Sequence, residues 1–571
     1  MSEDETFIRQ EVEQLIDEGL AKVSFVHPLA DISIWHLLTV VEDRVRLLFN
    51  GYIEKDEMDF YSIIDESKYE LRHAIVQVLK SSSNTSVTLP DKTNPSLYER
   101  AAELLKEAGT YEKLSRIVAS TYSSDCYFKK VTSGYKLEGQ SRGDFRYSVL
   151  EVLGHGSNMD PDVTGVLYEW LQNGANNVEG QCILDSLTNS GRVKKSKVVY
   201  EYQPSIAYGI ATELPQREMI IPEGFEFDWG GAFETHAMIN SLMVRCLYHV
   251  LSVELVARKK QIRGGGDSSL VLILTKEQLI ADIQVLANFE YETICKFVEM
   301  LTFGNKAITP DIALQPLYFS KSRLFMIPCY HILNCNIQRN LLSLLAKIDN
   351  KKFDKQSGIF EKSMVSQLEV SLQNWKHYSL NKEYKVNGVK EEIDGLIIDK
   401  NSKTVLLMEL RWILQPGDVR EVYNKIKATS SKVNQLARKI AFVEENLSEI
   451  ILRTTGCLND FLITDNWQVK GVVVIQGFGG TVSKHETIPI VTLDIFIKAV
   501  INSNSLRELH SWLNGLSWLP REDHDFKLDE IEESNGLVNI YRTAVSLLVN
   551  KQQYSNCLDD NIKFNLKGDL E

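Results

Sequence analysis

Two apolar segments joined by a polar turn carry acidic residues where a buried strand ordinarily has none. The segments are 392–399 and 404–412, and the turn between them is 400–403, Lys-Asn-Ser-Lys. β-Branched and aliphatic residues around such a turn predict a β-hairpin. This hairpin restricts the fold more than any other feature, because it fixes which residues face each other.

The hairpin brings charged side chains together. If Asp399 pairs with Thr404, Asp394 stands opposite Glu409, with Cβ atoms about 4.5–5.5 Å apart. Arg411 shares the face of Glu409, because side chains alternate along a strand. Two carboxylates buried side by side need a compensating cation, which a metal ion can supply.

A plainer interpretation makes this an edge strand with a solvated acidic stripe. Asp394 then starts a turn at the following glycine, and Glu409 and Arg411 face water. Residues 406–408 are apolar on both faces, however, which is typical of a central strand.

The elements around the hairpin have a definite order. Apolar spacing predicts a helix over 358–375 before it and a long amphipathic helix from 418 after it. A buried-type strand follows at 471–476, then a glycine-rich loop and a strand at 489–493 that leads into another helix.

This order, with acidic residues at these points, resembles the PD-(D/E)XK restriction-endonuclease-like superfamily over about residues 352–500. The resemblance implies an α/β domain with a mixed sheet flanked by helices, and metal-dependent phosphodiester hydrolysis. It implies that Asp394 and Glu409 are the two acidic residues of the superfamily's catalytic motif (the motif acids). It also implies that Glu361 is the acidic residue on the first helix, which helps to hold the metal. Mg²⁺ or Mn²⁺ is the implied cofactor, since such ions take oxygen ligands. Glu361 in a first helical turn has an alternative role, because the helix dipole alone stabilises it there.

Arg411 occupies the place of the family's lysine. Arginine clamps phosphate bidentately but does not shuttle a proton. An active site, a slow site and a fold that only binds nucleic acid therefore all stay open. Lys403, Lys425 and Lys432 are alternative sources of the lysine, each otherwise a solvated surface charge.

Two groups of residues are candidates for nucleic-acid contact. Gln435 and Lys439 are similar to the glutamine-bearing helix that some members of the superfamily aim at the site. A basic segment before three glycines predicts a grip on the phosphate backbone, although an exposed helix end explains the same pattern and P-loop spacing is missing. Its residues are Arg258, Lys259, Lys260 and Arg263.

Composition limits the partners. The net charge of −14 argues against indiscriminate coating of nucleic acid, but segment 352–500 has 20 basic and 18 acidic residues and does not repel phosphates. Eight cysteines lack any C-x-x-C pair, which predicts reduced thiols in the cytoplasm. No apolar run approaches the roughly 20 residues that span a bilayer, so no membrane partner is expected.

The predicted fold class is multidomain α+β. Residues 1–350 form a mainly helical region with a candidate break near 133–210, 351–500 the nuclease-like domain, and 501–571 a helical extension with a polar tail. Residues 537–549 are predicted as a helix of that extension.

Other local patterns give further predictions for the N-terminal region. Residues 81–96 and 133–144 are predicted as loops, because they are rich in turn-forming residues. Residues 277–301 are predicted as helical, and 313–332 as two extended segments around a turn.

The leading hypothesis is a Mg²⁺-dependent nuclease, acting on DNA or RNA, that resembles prokaryotic restriction or anti-phage effectors. DNA is the favoured partner, and the helical N-terminal region would hold a protein partner or a second copy of the chain. Two hypotheses stay open beside it. One is a catalytically inactive nuclease-like fold used as a scaffold or for nucleic-acid binding, and the other is a helical adaptor.

Overall fold

In a computed structural model the chain is an α+β protein, 57% helix, in which a mainly helical N-terminal region is followed by mixed sheets with helices. The structure describes residues 3–23, 26–50, 57–123, 126–139, 142–155, 161–215, 219–306, 309–414, 419–458, 461, 466–477 and 487–567.

The helices of these residues are α1 (Glu3–Ala21), α2 (Ala30–Phe49), α3 (Glu57–Ser81), α4 (Pro95–Ser123), α5 (Arg142–His155), α6 (Pro161–Gln172), α7 (Val178–Ser190), α8 (Pro204–Glu213), α9 (Ala232–Lys260), α10 (Lys276–Ala287), α11 (Tyr291–Met300), α12 (Cys329–Leu333), α13 (Ile337–Ile348), α14 (Asn350–Ser371), α15 (Val419–Glu445), α16 (Leu447–Thr455), α17 (Leu493–Asn502), α18 (Leu506–Asn514) and α19 (Lys551–Ile562). A 3-10 helix spans Arg263–Ser269 and a π-helical turn spans Lys563–Lys567.

The strands are β1 (Tyr127–Val131), β2 (Gly134–Glu138), β3 (Arg192–Lys194), β4 (Lys197–Val199), β5 (Val271–Thr275), β6 (Tyr318–Phe319), β7 (Leu324–Pro328), β8 (Tyr378–Val386), β9 (Val389–Asp399), β10 (Thr404–Trp412), β11 (Gln468–Gln476), β12 (Ile490–Thr492), β13 (Phe526–Ser534) and β14 (Asn539–Leu547). They form sheets in the orders β12-β11-β10-β9-β8, β1-β2-β14-β13, β5-β7-β6 and β3-β4.

The five-stranded sheet contains the predicted hairpin at its centre. Strands β8, β9 and β10 are antiparallel neighbours, whereas β10, β11 and β12 run parallel. Every residue of β10 is buried except Arg411, which is half-buried. The prediction of a central strand is therefore confirmed, and the solvated edge strand is excluded.

Helices cover both faces of this sheet. Leu406 and Met408 of β10 belong to a core that includes Phe360 of α14 and extends through α17 and α18 into the N-terminal region. Leu407, on the opposite face, packs in a second core with Leu436 of α15. The alternation of the strand thus sends Glu409 to the face that α15 covers.

A glycine on β11 lets α15 approach the sheet closely. A Cβ atom on Gly471 would lie 2.7 Å from Ile440 Cδ1 and 2.9 Å from Leu436 Cδ2. Both distances are too short for a real contact, so any larger residue here would push the helix away from the strands.

The N-terminal region packs around a long helix. Helix α9 is long and apolar enough to span a membrane by length and composition, but 89% of its most apolar window is buried inside the protein. That burial is what the core helix of a folded domain shows.

The predicted boundary at about residue 350 is not a loop but the beginning of a helix. Helix α14 begins at Asn350, not at 358, and the side chain of Asp349 caps it by accepting from the Lys352 N–H at 3.0 Å. Apolar spacing missed its first two turns, because Phe353 is their one buried side chain.

The C-terminal segment is not only helical. Residues 537–549, predicted as a helix, contain strand β14, which pairs with β13 and runs parallel to β2. Strand β2, which is antiparallel to β1 and parallel to β14, likewise lies in the predicted loop at 133–144. The strands that such half-polar segments pair with decide their structure, so local propensity fails there.

Three further predictions can be compared with the structure. The loop at 81–96 is confirmed. The two extended segments predicted in 313–332 are confirmed in part, as β6 and β7, because helix α12 takes residues 329–332. The helix predicted over 277–301 is two helices, because Asn288 takes a left-handed conformation with φ 54° between α10 and α11.

A buried carboxylate joins α2 to α12. Glu42 is fully inaccessible, and its oxygens accept the backbone N–H groups of Tyr330 at 2.8 Å and His331 at 2.9 Å. Burial raises the pKa of Glu42 to about 8, although these hydrogen bonds act in the opposite direction.

The stability of the protein should therefore depend on pH through Glu42. The folded protein keeps a proton that the unfolded chain releases above its ordinary pKa of 4.5, so the stabilisation is complete below that pH and is lost as pH rises towards 8. In urea unfolding, the free energy of unfolding of wild type should fall by about 4 kcal/mol more than that of Glu42→Gln between pH 5 and 8.5. Glutamine also loses one N–H contact, but that loss is the same at every pH. Parallel pH profiles would contradict the prediction.

Candidate active site

The predicted register of the hairpin is confirmed. Asp399 pairs with Thr404, and the backbone pairing continues to Gly395 opposite Met408. Asp394 is the next residue of β9. There its carboxylate Oδ2 accepts the backbone N–H of Leu410 at 2.9 Å. Where the backbone pairing of β9 and β10 ends, a side-chain hydrogen bond therefore links the two strands.

The carboxylates of Asp394 and Glu409 meet at one cation, as the opposed register predicts. The ammonium of Lys439 donates to Glu409 Oε2 at 2.6 Å and to Asp394 Oδ1 at 3.3 Å. Lys432 donates to Glu409 Oε1 at 2.7 Å. Both lysines come from α15, so packing of this helix on the sheet builds the cluster, which we call the acidic centre (Asp394, Glu409, Lys432 and Lys439).

Burial makes these contacts strong. The side chain of Glu409 is 1% exposed and that of Lys439 is 9% exposed, whereas Asp394 is 21% exposed and forms the more open side. Burial alone lowers the pKa of Lys439, but the charges and hydrogen bonds of the two acids outweigh it, so the pKa lies above its ordinary value. Lys439 is therefore protonated at neutral pH.

Glu361 does not join the two motif acids. It accepts from the Arg411 guanidinium at 3.0 Å, at the carboxyl end of β10. The reason is the packing of α14 on the other face of the sheet, where Phe360 stacks on Trp412 with ring centroids 3.8 Å apart. Among the described residues no group of three or more His, Cys, Asp or Glu side chains is placed to hold a metal ion. The predicted three-carboxylate set is thus reduced to two.

Two lysines of α15, Lys432 and Lys439, contact the acids of the hairpin. Of the three alternatives, Lys432 contacts Glu409, while Lys425 lies one seven-residue interval before it and Lys403 lies in the hairpin turn at the other end of the strands. Lys439, predicted as a nucleic-acid contact, instead bridges the two acids. The seven-residue spacing of the lysines was the available signal, because it sets them on one side of a helix.

The other residues predicted to contact nucleic acid lie on two helices, α15 and α9. Gln435 is exposed on α15, between the two lysines of the acidic centre. In the basic segment, Arg258 donates to the Leu171 carbonyl and to Asn50, and Lys259 donates to Asn189 at 2.7 Å.

Lys260 is exposed at the end of α9, and the side chain of Arg263 lies outside the described residues. The exposed helix end is therefore the interpretation that the contacts of Arg258 and Lys259 favour.

The acidic centre has a donor set that fits a divalent metal. One oxygen of each acid already points at a shared cation, and each carboxylate oxygen has a second lone pair. One or two carboxylates are the usual protein contribution to a Mg²⁺ site, with water and phosphate oxygens completing it.

Two cavities beside this sheet lie away from the acidic centre. One of about 850 Å³ is lined by Asn387, Glu444 and Arg453, and one of about 470 Å³ by Trp375 and residues near it. Neither is lined by a residue of the acidic centre. The acidic centre instead lies where the pairing of β9 and β10 ends, under helix α15.

Comparisons of the chain with protein-family models, with curated proteins and with solved structures found no match.

Proposed function

We propose that the chain is a metal-dependent nuclease whose residues 351–500 form a restriction-endonuclease-like domain of the PD-(D/E)XK type. The observation that carries the proposal is the sharing of one cation by carboxylates from two adjacent strands, Asp394 and Glu409. A mixed sheet with the hairpin at its centre and helices on both faces supports it. A cytoplasmic location and a role in defence against foreign DNA are part of the same proposal.

The two acids would hold Mg²⁺ or Mn²⁺. When bound, such an ion activates water and offsets charge on the scissile phosphate. Asp394 is held in place by the Leu410 N–H, which leaves Oδ1 to face the cation. Glu409 is fixed from both sides by lysines, so its position does not depend on solvent.

The basic residues then stabilise charge and do not move protons. Lys439 stays protonated because its pKa is raised, so it serves as a fixed positive charge beside the scissile phosphate. Arg411 offers a planar fork for phosphate oxygens, and Glu361 orients it. Lys439 therefore takes the place that the resemblance gave to Arg411.

A second candidate function is a catalytically inactive scaffold. Both oxygens of Glu409 already bind a lysine, and the two acids and two lysines of the acidic centre balance in charge without a metal. A buried cluster of this kind can serve the specificity of folding alone.

The full chain should be incubated with double-stranded DNA, single-stranded DNA and RNA, in Mg²⁺, in Mn²⁺ and in EDTA. The test variant is Asp394→Asn, which keeps the shape of the side chain and an acceptor for Leu410. The matched control is Glu391→Gln, also on β9 and also paired with α15, through Arg438 at 3.1 Å.

Wild type and Glu391→Gln should cleave at least one substrate with metal, and Asp394→Asn should not. Equal cleavage by all three proteins would remove the site from the proposal. No cleavage by wild type, together with no heat of Mn²⁺ binding in calorimetry, would decide for the scaffold.

A further inference from the structure

A cavity lies at the turn of the β9–β10 hairpin, at the end away from the acidic centre. Its volume is about 470 Å³, and it is lined by the end of β9, the hairpin turn, the segment between α14 and β8, and the end of α17 with the residues after it. Asp399, at the turn, is five residues from Asp394 on the same strand. That separation is about 17 Å, at about 3.3 Å per residue. A ligand in this cavity would therefore bind apart from the acidic centre.

A buried acid ties the walls of this cavity together. The carboxylate of Asp399 accepts the backbone N–H of Asn401 at 2.9 Å and the hydroxyl of Ser402. It also accepts the backbone N–H of Leu506, the first residue of α18, at 3.2 Å. These hydrogen bonds lie within the protein, so the cavity is preformed, and a preformed cavity lowers the entropic cost of binding.

Two half-buried aromatic rings line the cavity, those of Trp375 and His377, and we call it the aromatic cavity. The Trp375 indole N–H donates to the Val500 carbonyl at 3.2 Å. The His377 ring packs edge-on against Phe461, with ring centroids 5.2 Å apart. Aromatic rings that are held in this way stack on flat heterocycles, as they do on the bases of single-stranded nucleic acids.

Three exposed carboxamides, those of Asn374, Asn401 and Asn504, line the same cavity. Within the described part of the chain their side chains make no hydrogen bond, so their donors and acceptors are available to a ligand. A carboxamide presents a donor and an acceptor side by side, which matches the edge of a nucleobase. Aromatic walls with a few polar groups, in a volume of this size, are typical of a small-molecule site.

A second cavity, of about 490 Å³, adjoins the first and shares Asn401 with it. We call it the polar cavity, because its described lining is polar throughout: Asn401, Ser402, Lys403, Asn466, Gln468 and Arg507. Arg507 donates to the Ser402 carbonyl at 2.7 Å through one nitrogen, and a guanidinium has five N–H groups in all. Asp399 is the one acid among the described residues that line either cavity, and its oxygens are engaged. The polar cavity therefore suits an anion.

We propose that the two cavities together bind one nucleotide, with its base in the aromatic cavity and its phosphate in the polar cavity. Lys403 and Arg507 supply charged donors, which make the stronger hydrogen bonds to phosphate. The site shares no residue with the acidic centre, so it does not depend on the nuclease proposal. A free nucleotide and one nucleotide of a strand offer the same chemistry, and the experiment separates them.

The test is calorimetric titration of the full chain in EDTA. The probes are the four ribonucleoside 5′-monophosphates, the corresponding nucleosides, inorganic phosphate, and ten-nucleotide single strands of DNA and RNA. Lys403→Met removes a charge from the polar cavity, and Asn374→Ala with Asn504→Ala removes two carboxamides from the aromatic cavity. The matched controls are Lys385→Met and Gln373→Ala, since both residues are exposed and line neither cavity.

Wild type should bind at least one monophosphate. Lys403→Met should weaken that binding about tenfold, by loss of a charged hydrogen bond, and leave nucleoside binding unchanged. The double asparagine variant should weaken nucleotide and nucleoside alike, about five- to tenfold, and both controls should bind like wild type. Equal affinities in wild type and all variants would overturn the site, and so would a double asparagine variant that binds nucleotides normally.

The single strands decide the source of the nucleotide. Binding of a strand but of no monophosphate, weakened by the same variants, assigns the site to a nucleotide of a strand; the reverse assigns it to a free nucleotide. A wild type that binds neither kind of probe, or that binds inorganic phosphate as tightly as any nucleotide, refutes the proposal. Asp394→Asn should bind nucleotides like wild type, so the site stands or falls separately from cleavage.

Discussion

Glu409→Gln should reduce metal-dependent cleavage by a factor of about 10²–10³ or more, the usual cost of removing one preorganised electrostatic group from an active site. Glu409 is the most deeply buried acid of the acidic centre, and both of its oxygens bind a cation. Glutamine has nearly the same shape, so the change removes a charge and little else. Initial rates on the best substrate, in Mg²⁺ and Mn²⁺, measure the effect.

The same substitution should also destabilise the fold, which has to be separated from the chemistry. It leaves Lys432 and Lys439 facing an uncharged partner, and breaking a buried ion pair costs about 3–5 kcal/mol. Glu409→Gln combined with Lys432→Met removes one positive charge as well. The double variant should regain part of the free energy of unfolding and remain inactive. Cleavage restored in the double variant would mean that Glu409 only holds Lys432 in place.

The hairpin shows how much a sequence can predict when its pattern is strict. Alternation and a four-residue turn were enough to pair Asp399 with Thr404 and so to bring Asp394 and Glu409 together. No other partner was needed, because the strands are neighbours in the chain and one slip in register would turn every side chain to the wrong face. Lys439 then confirms their proximity by contacting both acids.

The rest of the acidic centre depends on tertiary packing. The pattern of α15 predicts a helix with an apolar stripe, but not how far the helix slides along the sheet, and that distance decides which lysine meets which acid. Gly471 sets the closeness of the helix through contacts made only after folding. Tertiary packing also decides the partner of Glu361. Stacking of Phe360 on Trp412 fixes α14 on the other face of the sheet, so Glu361 contacts Arg411 and not the two acids.

Strands with a weak pattern of their own were the other failure. β14 is half-polar; it pairs along its length with β13, which precedes it in the chain, and at two positions with β2, some 400 residues earlier. β8 was not predicted, although it alternates, because only two of its nine residues are buried, whereas four are half-buried and three are exposed. Neither strand has an apolar face clear enough to be recognised without its partner.

Lys439→Met should lower the free energy of unfolding by about 3–5 kcal/mol, because it leaves two carboxylates with one remaining cation in a buried place. The neighbouring residue supplies a matched control. Arg438 pairs with Glu391 from the same helix, but its side chain is 64% exposed, so Arg438→Met should cost no more than about 1 kcal/mol. Thermal or urea unfolding in EDTA measures both.

Added Mn²⁺ distinguishes the two proposed functions through the same variant. If Asp394 and Glu409 form a metal site, removing the ammonium that they share strengthens metal binding, and the ion stabilises the folded state by about 2.7 kcal/mol at a hundredfold excess over its Kd. Mn²⁺ should then raise the unfolding midpoint of Lys439→Met more than that of wild type, and leave Arg438→Met like wild type. In a scaffold with no metal site, Lys439→Met is destabilised equally with and without Mn²⁺. That result would confirm the ion cluster but refute the metal site. The two acids would have lost the ammonium of Lys439 and still would not have bound a metal ion in its place.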